Sequence, residues 1–204
     1  MSERGKLITL EGVDGAGKST HLVHVVEQLR AHGHEVMVTR EPGGTPLAER
    51  LREMLIRDPM DPLAETLLLF AARADHVARV MRPALEAGKW VVCDRFTDAT
   101  AAYQGAGKGV AAELIERLAE AAHPGLAPDR TLVFDCGFEI ARERLAASGK
   151  PLDRFEREDR AFFERVRGAY LARARAEPAR IRVIDASGDL AAIRKMIDAS
   201  LPRG

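Results

Sequence analysis

Cysteine is scarce in this chain, and its two cysteines stand in neither a disulfide-type nor a metal-binding spacing. Cys93 and Cys136 each end or follow an apolar run, so we interpret both as small buried side chains in a reducing compartment. Long apolar runs are missing too. None approaches the ~18 residues needed to cross a bilayer, and the N-terminus lacks an apolar signal stretch. The sequence therefore predicts a soluble, cytoplasmic protein without a membrane partner.

An excess of charge of either sign is also absent. The 204 residues include 31 Lys and Arg and 31 Asp and Glu, so the formal net charge is zero. Because nucleic-acid-binding proteins usually carry a basic surplus, this balance argues against a nucleic-acid partner. Small phosphorylated ligands need only local cations and stay possible. The length suits one domain over residues 1–204, and the chain has no internal repeat or interdomain linker.

Five strand-like runs alternate with helical patterns along the chain. They are Leu7–Leu10, Glu35–Thr39, Trp90–Cys93, Thr131–Asp135 and Ile181–Ile184. Strands separated by helices imply a parallel sheet that is covered on both faces. We therefore predict an α/β fold with three α/β/α layers around a five-stranded parallel sheet. A helix from Pro62 is predicted to run towards Pro83, and a last helix to span Leu190 to Ser200.

The segment from Gly12 to Ser19 fits the pattern G-x-x-x-x-G-K-[ST] and lies between a strand-like and a helical run. Its glycines let the backbone aim N–H groups at a phosphate, and the helix N-terminus adds positive charge. Lys18 can reach the β- and γ-phosphates, and the Ser19 hydroxyl can ligate Mg²⁺. A turn that only caps a helix does not explain these two residues. We predict a P-loop NTPase fold, with ATP contacts from Gly12, Asp14, Gly15, Ala16, Gly17, Lys18, Ser19 and Thr20.

Candidate groups follow each of the first three strands. The P-loop follows the first, the segment 40–44 (Arg-Glu-Pro-Gly-Gly) the second, and Asp94 and Arg95 the third. Ligands of open parallel sheets bind at the carboxyl ends of the strands, so we expect one shared site. Asp94 fits a Walker B acid that orients Mg²⁺, and a helix-capping or turn aspartate is the alternative. Arg95 is an always-charged fork suited to phosphate.

Phe70 and Arg73 are three residues apart on the predicted long helix and share a face. Phe70 could stack on a base while Arg73 holds a phosphate. The alternative makes Phe70 a core residue and Arg73 part of a solvated face. The sequence pattern of these two residues leaves both interpretations open.

The segment from about 148 to 160 is polar, rich in arginine and broken by Gly149 and Pro151. This composition suits a short mobile lid, with a solvated loop as the alternative. Phosphoryl transfer needs positive charge on the transferring group, often from a mobile arginine. Position 15 of the P-loop is glycine and supplies none. The pattern therefore predicts a lid arginine, although a charge-laced helix start also explains the charges here.

Taken together, these motifs resemble the bacterial thymidylate kinases, a family of P-loop nucleoside monophosphate kinases. The resemblance runs from about residue 6 to the last helix. It rests on ordered blocks at 11–20 (EGVDGAGKST), 39–45 (TREPGGT), 69–73 (LFAAR), 94–96 (DRF), 102–105 (AYQG) and 152–154 (LDR). The first block is common to many kinases, whereas the others in this order are far more specific.

The resemblance implies transfer of the ATP γ-phosphoryl group to dTMP with Mg²⁺, for dTTP synthesis, by a homodimer. Lys18, Arg95 and Arg154 would be catalytic, with Arg154 as the lid arginine, and Ser19 and Asp94 would serve the metal. Asp14 would contact the sugar 3′-hydroxyl or the magnesium water network. The dTMP contacts implied are Asp14, Arg52, Phe70, Arg73, Arg95, Thr100, Tyr103 and Gln104. Among these, Arg73 and Arg95 would hold the phosphate, and Phe70 would stack on thymine. Arg52, Thr100 and Gln104 would read the edge of the base, and Tyr103 would favour deoxyribose.

Two positions depart from the family pattern. Phe96 stands where many relatives have Tyr or His, and Phe70 precedes Arg73 by three residues where some relatives show four. Two other functions also fit the P-loop. One is a kinase for a different nucleotide or nucleoside, and the other is a P-loop switch that hydrolyses nucleotide slowly without a phosphoryl acceptor.

Overall fold

The computed structural model describes residues 4–149, 151 and 153–202. Five strands form its sheet: β1 (Leu7–Glu11), β2 (Val36–Arg40), β3 (Trp90–Asp94), β4 (Arg130–Asp135) and β5 (Ile181–Asp185). Each overlaps one of the predicted runs, and the ends differ by about one residue. The predicted α/β fold is confirmed.

The sheet has the order β2-β3-β1-β4-β5, and every neighbouring pair is parallel. β1, β3 and β4 are almost wholly buried, because helices cover the sheet on both faces. The edge strand β5 is half exposed, with Val183 facing outward and Ile184 buried. Two buried apolar clusters fill the two sides of the sheet. The larger contains Ile8 and Leu132, and the smaller Leu7 and Val91.

Nine α-helices connect or flank the strands in the described residues. They are α1 (Lys18–Ala31), α2 (Pro46–Arg57), α3 (Pro62–His76), α4 (Arg82–Glu86), α5 (Thr97–Thr100), α6 (Ala112–Ala122), α7 (Phe138–Ala147), α8 (Arg160–Ala176) and α9 (Leu190–Ser200). Two π-helical turns, Val77–Met81 and Ala101–Gly107, continue α3 and α5 respectively. α9 coincides with the predicted last helix, and Ile193 and Ile197 are its buried residues.

The helix predicted from Pro62 begins as expected, but it does not end at Pro83. α3 passes into the first π turn, and Pro83 then lies in the first turn of α4. At the junction the Arg82 N–H donates to the Val77 carbonyl five residues back. This wider bonding accommodates a proline, which has no N–H to donate. The apolar side chains of the predicted helix also differ in their exposure to solvent. Leu63 and Leu67 are 45% and 47% exposed, while Phe70, Val77 and Met81 are buried.

The sheet order brings the carboxyl ends of β1, β2 and β3 side by side, with β3 in the middle. The P-loop, Glu41 and the Asp94–Arg95 pair therefore emerge at one edge, as the sequence predicts. Cys93 and Cys136 are free and buried, which confirms the predicted burial of both side chains. Among the described residues, no helix is long and apolar enough to cross a membrane.

Candidate active site

The P-loop connects β1 to α1 through a backbone that only glycine accepts without strain. Gly12 and Gly15 have φ of 129° and 81°. A Cβ on Gly12 would lie 2.3 Å from the Phe134 carbonyl oxygen, and one on Gly15 would lie 2.4 Å from that of Ala141. Ala16 is buried, whereas Ser19 and Thr20 are exposed on the first turn of α1. The loop thus packs tightly against β4 and α7 and leaves the helix N-terminus open to a ligand.

Lys18 lies at the N-terminus of α1 with its ammonium group folded over the loop. Nζ donates to the carbonyl oxygens of Gly12 and Val13 at 2.9 and 3.0 Å. The side chain is 93% buried. Burial lowers the pKa of Lys18 and the charge of Arg95 lowers it further, although Asp14, Asp94 and Glu11 oppose the shift. The two backbone carbonyls thus hold this cation against the loop where phosphates would bind.

Asp94 ends β3 beside the P-loop, and its Oδ1 is buried without a hydrogen-bond partner in the described residues. An unpaired buried carboxylate oxygen is costly unless a ligand or water satisfies it. These residues contain no group of three or more His, Cys, Asp or Glu side chains that could hold a metal ion by itself. Mg²⁺ in kinases takes most of its ligands from phosphates and water, so one hydroxyl and one carboxylate suffice. Ser19 and Asp94 fit this role.

Arg95 connects the P-loop to the space beside it. It is the single non-glycine residue of the described chain with a left-handed backbone, at φ 71°. Nη1 donates to the Gly12 carbonyl at 3.1 Å, and Nη2 donates to Asp14 Oδ1 at 2.5 Å and to the Tyr103 hydroxyl at 3.2 Å. A strained backbone at a charged residue is typical of a functional site.

The charges of Arg95 and Asp14 stabilise each other. Burial pulls the pKa of Arg95 down, but the Asp14 carboxylate and other neighbours raise it well above its usual range. Burial likewise pulls the pKa of Asp14 up, but Arg95 and Lys18 lower it below its usual value. The Tyr103 hydroxyl donates to Asp14 Oδ2 at 2.8 Å. Both oxygens of Asp14 are therefore engaged, which keeps the guanidinium in one orientation.

Arg73 is held in a buried ion pair with Glu41. Its Nε donates to Glu41 Oε2 at 2.6 Å, and its Nη2 donates to Thr100 Oγ1 at 3.1 Å. Arg73 and Glu41 are 3% and 4% exposed. Although burial raises the pKa of Glu41, Arg73 and His76 together lower it below its usual value. Nη1 of Arg73 is buried without a hydrogen-bond partner in the described structure, so one donor remains for a ligand.

A cavity of about 120 Å³ lies between these groups. It brings together seven of the eight predicted dTMP contacts, namely Asp14, Arg52, Arg73, Arg95, Thr100, Tyr103 and Gln104. Its other lining residues are Glu41, Pro42, Leu55, Ile56, Leu69, Phe96, Ala99, Asp153 and Phe155. Arg52 is anchored there by a 3.1 Å hydrogen bond from Nη1 to the Pro42 carbonyl. A pocket with an apolar wall and a few convergent polar groups is typical of a nucleotide site.

Phe70 is the predicted contact that does not line the cavity. Its ring is 4% exposed and packs beneath the guanidinium of Arg73, with the Arg73 Cζ 4.8 Å from the ring centroid. Leu69 lines the cavity instead. The shorter spacing to Arg73 accounts for this, because neighbouring helical residues differ in direction by about 100°. Phe70 is therefore a core residue in this structure, as one of the two interpretations held. Arg73 is buried as well and is not part of a solvated face.

Arg154 makes its contacts with residues outside the P-loop in this structure. Its Nε donates to the Leu55 carbonyl at 2.5 Å, and its Nη2 forms an ion pair with Glu65 without hydrogen-bond geometry. Its guanidinium also lies over the ring of Phe155, 4.3 Å from the centroid. The segment before α8 is thus packed against α2 and α3. Lys150 and Leu152, which belong to the predicted lid, lie outside the described residues.

Buried glutamates that were not among the predicted site residues support the site. Glu11 at the end of β1 accepts hydrogen bonds from the Phe96 N–H at 2.7 Å and from the Tyr170 hydroxyl at 2.8 Å. Tyr170 in turn accepts from Arg95 at 3.3 Å. Glu11 and Glu41 belong to recognised motifs and lie at strand ends, so the sequence could have indicated a place for them at the site. Glu65 lies in α3 and Tyr170 in α8, both outside the recognised motifs, and no sequence pattern linked them to the site.

This fold and site define the class of the protein, a P-loop nucleotide kinase. A phosphate-binding loop faces an adjoining pocket with its own arginines, which is the arrangement that phosphoryl transfer between two nucleotides needs. A P-loop switch without an acceptor would not need such a pocket.

Comparison with known proteins identifies the family. The family model described as Thymidylate kinase matches residues 10–197. The thymidylate kinase of Bordetella pertussis is 55% identical over 201 residues, which is 98% of this chain and 96% of that protein. That of Methylobacillus flagellatus is 54% identical over 194 residues, 95% of each. The crystal structure of thymidylate kinase from Ehrlichia chaffeensis has a TM-score of 0.75 at 32% identity, covering 95% of this chain and 96% of that one.

The chain belongs to the thymidylate kinase family. This membership confirms the resemblance inferred from the motifs, the P-loop NTPase fold and the predicted phosphotransferase that converts dTMP to dTDP. It decides against both a P-loop switch and a kinase for another base.

The buried carboxyl group of Glu11 leads to a prediction about stability and pH. Burial, reinforced by the charge of Asp98, raises the pKa of Glu11 from 4.5 to about 8, although Arg95, Tyr170 and the Phe96 N–H oppose the shift. Between these pH values the unfolded chain loses the proton and the folded chain keeps it, so wild-type stability falls as pH rises. Glu11→Gln cannot lose a proton. Its Tm relative to wild type should therefore rise from about pH 4.5 to about pH 8 and then level off.

Thermal unfolding followed by circular dichroism at several pH values in this window measures the effect. The control is Glu120→Gln, which changes an exposed glutamate on α6. Its difference from wild type should stay flat. A Glu11→Gln difference that is equally flat would contradict a raised pKa at this carboxyl group.

Proposed function

We propose that the P-loop and the adjoining cavity form one active site, in which the γ-phosphoryl group of ATP passes to the phosphate of dTMP. The observation that carries this proposal is the bonding of Arg95. One side chain donates to the P-loop carbonyl of Gly12 and also lines the cavity. A phosphate bound by Arg95 would thus lie next to the triphosphate held by the P-loop. Holding both reactants in line is the main source of catalysis in phosphoryl transfer.

The attacking group is an oxygen of the dTMP phosphate, which is already ionised at neutral pH. No strong general base is therefore required, and none of the carboxylates at the cavity is assigned that role. The contacts of Asp14 support a positioning role, since both its oxygens accept hydrogen bonds from Arg95 and Tyr103. Tyr103 closes the cavity between Asp14 and Phe155, and we assign it to the sugar, where it would disfavour a 2′-hydroxyl.

The base end of the cavity has donors and acceptors that match thymine. Arg73 donates a hydrogen bond to Thr100, one of the residues proposed to read the base. We therefore assign Arg73 to the base and not, with Arg95, to the phosphate. Its free Nη1 can donate to the O4 carbonyl of thymine, and the Gln104 amide oxygen can accept from N3–H. Arg52 lies on the same wall. Leu69 takes the place proposed for Phe70, as an apolar surface against the ring.

Lys18, Ser19 and Asp94 serve the ATP side. Mg²⁺, once bound with ATP, would neutralise charge that develops on the phosphates. Ser19 and Asp94 are the residues proposed to hold it. Lys18 would exchange its two backbone carbonyl partners for phosphate oxygens, which are stronger acceptors for an ammonium group. The remaining P-loop contacts would come from backbone N–H groups between Gly12 and Thr20.

Segment 148–160 is proposed to act as a lid on a single domain. In the present arrangement Asp153 and Phe155 line the cavity while Arg154 pairs with Glu65. When ATP is bound, Arg154 would leave Glu65 for the transferring phosphoryl group and supply the charge that Gly15 does not. Arg154 is thus the sequence neighbour of two residues that line the cavity, so a small movement of the segment could bring its guanidinium to the site.

A homodimer in the cytoplasm completes the proposal. Four large apolar side chains, Leu47, Met54, Leu63 and Leu67, are 40–47% exposed on α2 and α3, which pack against each other. Exposed apolar surface of this kind commonly marks a protein interface. The buried free cysteines support a reducing compartment.

Arg95→Ala tests the acceptor side of the site. Losing hydrogen bonds from a charged donor should raise the Kd for dTMP at least about tenfold. The Kd for an ATP analogue should change much less, because the P-loop backbone and Lys18 remain. Isothermal titration calorimetry with each ligand measures both values. Arg79→Ala, which removes an exposed arginine paired with Asp75, is the matched control. Equal losses for both ligands would contradict the acceptor-side role of Arg95.

Arg154→Ala tests the lid arginine. The variant should lower kcat by about tenfold or more, since charge on the transition state is lost, while the KM for dTMP stays near that of wild type. Steady-state kinetics of ADP formation measures both constants. Arg160→Ala removes a nearby arginine whose partner is the exposed Glu139, and its kcat should not fall. An unchanged kcat for Arg154→Ala would show that Arg154 does not act on the transferring phosphoryl group.

Sedimentation velocity tests the dimer. Wild type should sediment at twice the chain mass of 22.3 kDa. Leu67→Glu should shift the protein to monomer, because it puts a charge on the proposed apolar contact. Val183→Glu, at a similarly exposed apolar position on β5, should remain dimeric. A monomeric wild type, or equal effects of both changes, would rule out this interface.

A further inference from the structure

Glu65 is a fully buried carboxylate with three polar partners at the base end of the cavity. It lies in the first turn of α3 with 0% exposure. Gln104 Nε2 donates to Oε1 at 2.7 Å, and Lys108 Nζ donates to both oxygens at 2.8 and 3.0 Å. Arg154 adds an ion pair. A buried acid with so many partners orders the groups that it binds.

The bond to Gln104 determines which end of its amide a ligand meets. A side-chain amide has one donor end and one acceptor end, which differ little in shape. The Glu65 carboxylate, paired with two cations, can only accept hydrogen bonds, so it must receive the NH₂ group of Gln104. The amide oxygen is left over, and within the described residues it has no hydrogen-bond partner. Because Gln104 lines the cavity, this oxygen is the atom offered to a bound base.

We infer that Glu65 is a positioning residue for substrate selection, which fixes the Gln104 amide so that the cavity accepts bases with an N3–H donor. This inference rests on the proposed role of Gln104 in reading the base. Thymine and uracil carry N3–H, whereas cytosine has an unprotonated N3 acceptor. An amide oxygen held opposite that N3 would face a second acceptor. A site with fixed hydrogen-bonding groups rejects a mismatched ligand strongly, since buried polar groups then stay unpaired.

Glu65→Gln tests the inference with little change of shape. The new amide can either donate to or accept from Gln104, so Gln104 is free to turn its NH₂ group toward a cytosine N3. The ratio of kcat/KM for dTMP over dCMP should fall at least about tenfold. The ratio for dTMP over dUMP should stay constant, because both bases carry N3–H. Arg73 still opposes the cytosine amino group, so selectivity should be reduced and not abolished.

Three further variants separate the possible causes. Glu53→Gln changes an exposed glutamate on α2 and should leave both ratios at the wild-type value. Gln104→Ala removes the proposed base reader and should lower the dTMP over dCMP ratio by itself. The exchange Glu65→Gln with Gln104→Glu keeps a negative charge near Lys108 and Arg154. It also places an acceptor-only carboxylate at position 104, so selectivity should recover relative to Glu65→Gln alone.

The outcomes distinguish this inference from the proposed function. If Gln104→Ala leaves selectivity intact, the assignment of Gln104 as base reader is wrong. If Gln104→Ala lowers selectivity but Glu65→Gln does not, the positioning role of Glu65 is overturned. A structural role alone would lower Tm and all activities together without moving the ratio. Should Glu65→Gln fail to fold, the exchanged pair still decides, since selectivity lost in that variant would contradict the inference.

Discussion

The ion pair between Arg95 and Asp14 is the constraint on which the rest of the site depends. A partly buried guanidinium needs acceptors in fixed directions, and here four acceptors come from three elements. They are the Gly12 carbonyl and the Asp14 carboxylate of the P-loop, the Tyr103 hydroxyl of the second π turn and the Tyr170 hydroxyl of α8. Removing any one would leave a buried donor unpaired. Because these hydrogen bonds converge on the Arg95 side chain, they connect the loop after β3 to the loop after β1, the second π turn and α8. The position of the cavity relative to the P-loop follows from these contacts.

The same arrangement recurs around the cavity. Each important arginine is matched with an acid from another element: Arg95 with Asp14, Arg73 with Glu41, and Arg154 with Glu65. Breaking a buried pair is costly because an uncompensated charge remains. The pairs therefore hold the cations in place before any ligand arrives, which reduces the ordering needed on binding. They also lower the net positive charge at the cavity. Unpaired donors such as Arg73 Nη1 are then left available to a ligand.

Local patterns were sufficient for much of this molecule. The five strands were predicted almost to the residue, because buried parallel strands are short apolar runs that need no partner to be recognised. The P-loop was equally clear, since phosphate binding dictates glycines and a lysine at fixed offsets. Grouping three strand ends into one site also succeeded, because parallel topology forces those ends to one edge. Helix spacing was less reliable. Phe70 and Arg73 share a face of α3, yet that face meets Phe96 and the core as well as the cavity, so the neighbouring Leu69 lines the wall.

Local sequence patterns were enough to predict the fold class, the phosphate loop and the family, and seven of the eight predicted dTMP contacts do line the cavity. These features are encoded by short segments or by an order of motifs along the chain. Tertiary structure alone decided which acid holds which arginine, that Arg154 rests on Glu65, and that Glu65 turns the Gln104 amide. The physical reason is separation in sequence. Glu65 and Gln104 are 39 residues apart, and Arg95 and Tyr170 are 75 apart. Such pairs form only when packing brings their elements together, and the cost of burying an unpaired charge then selects the partner.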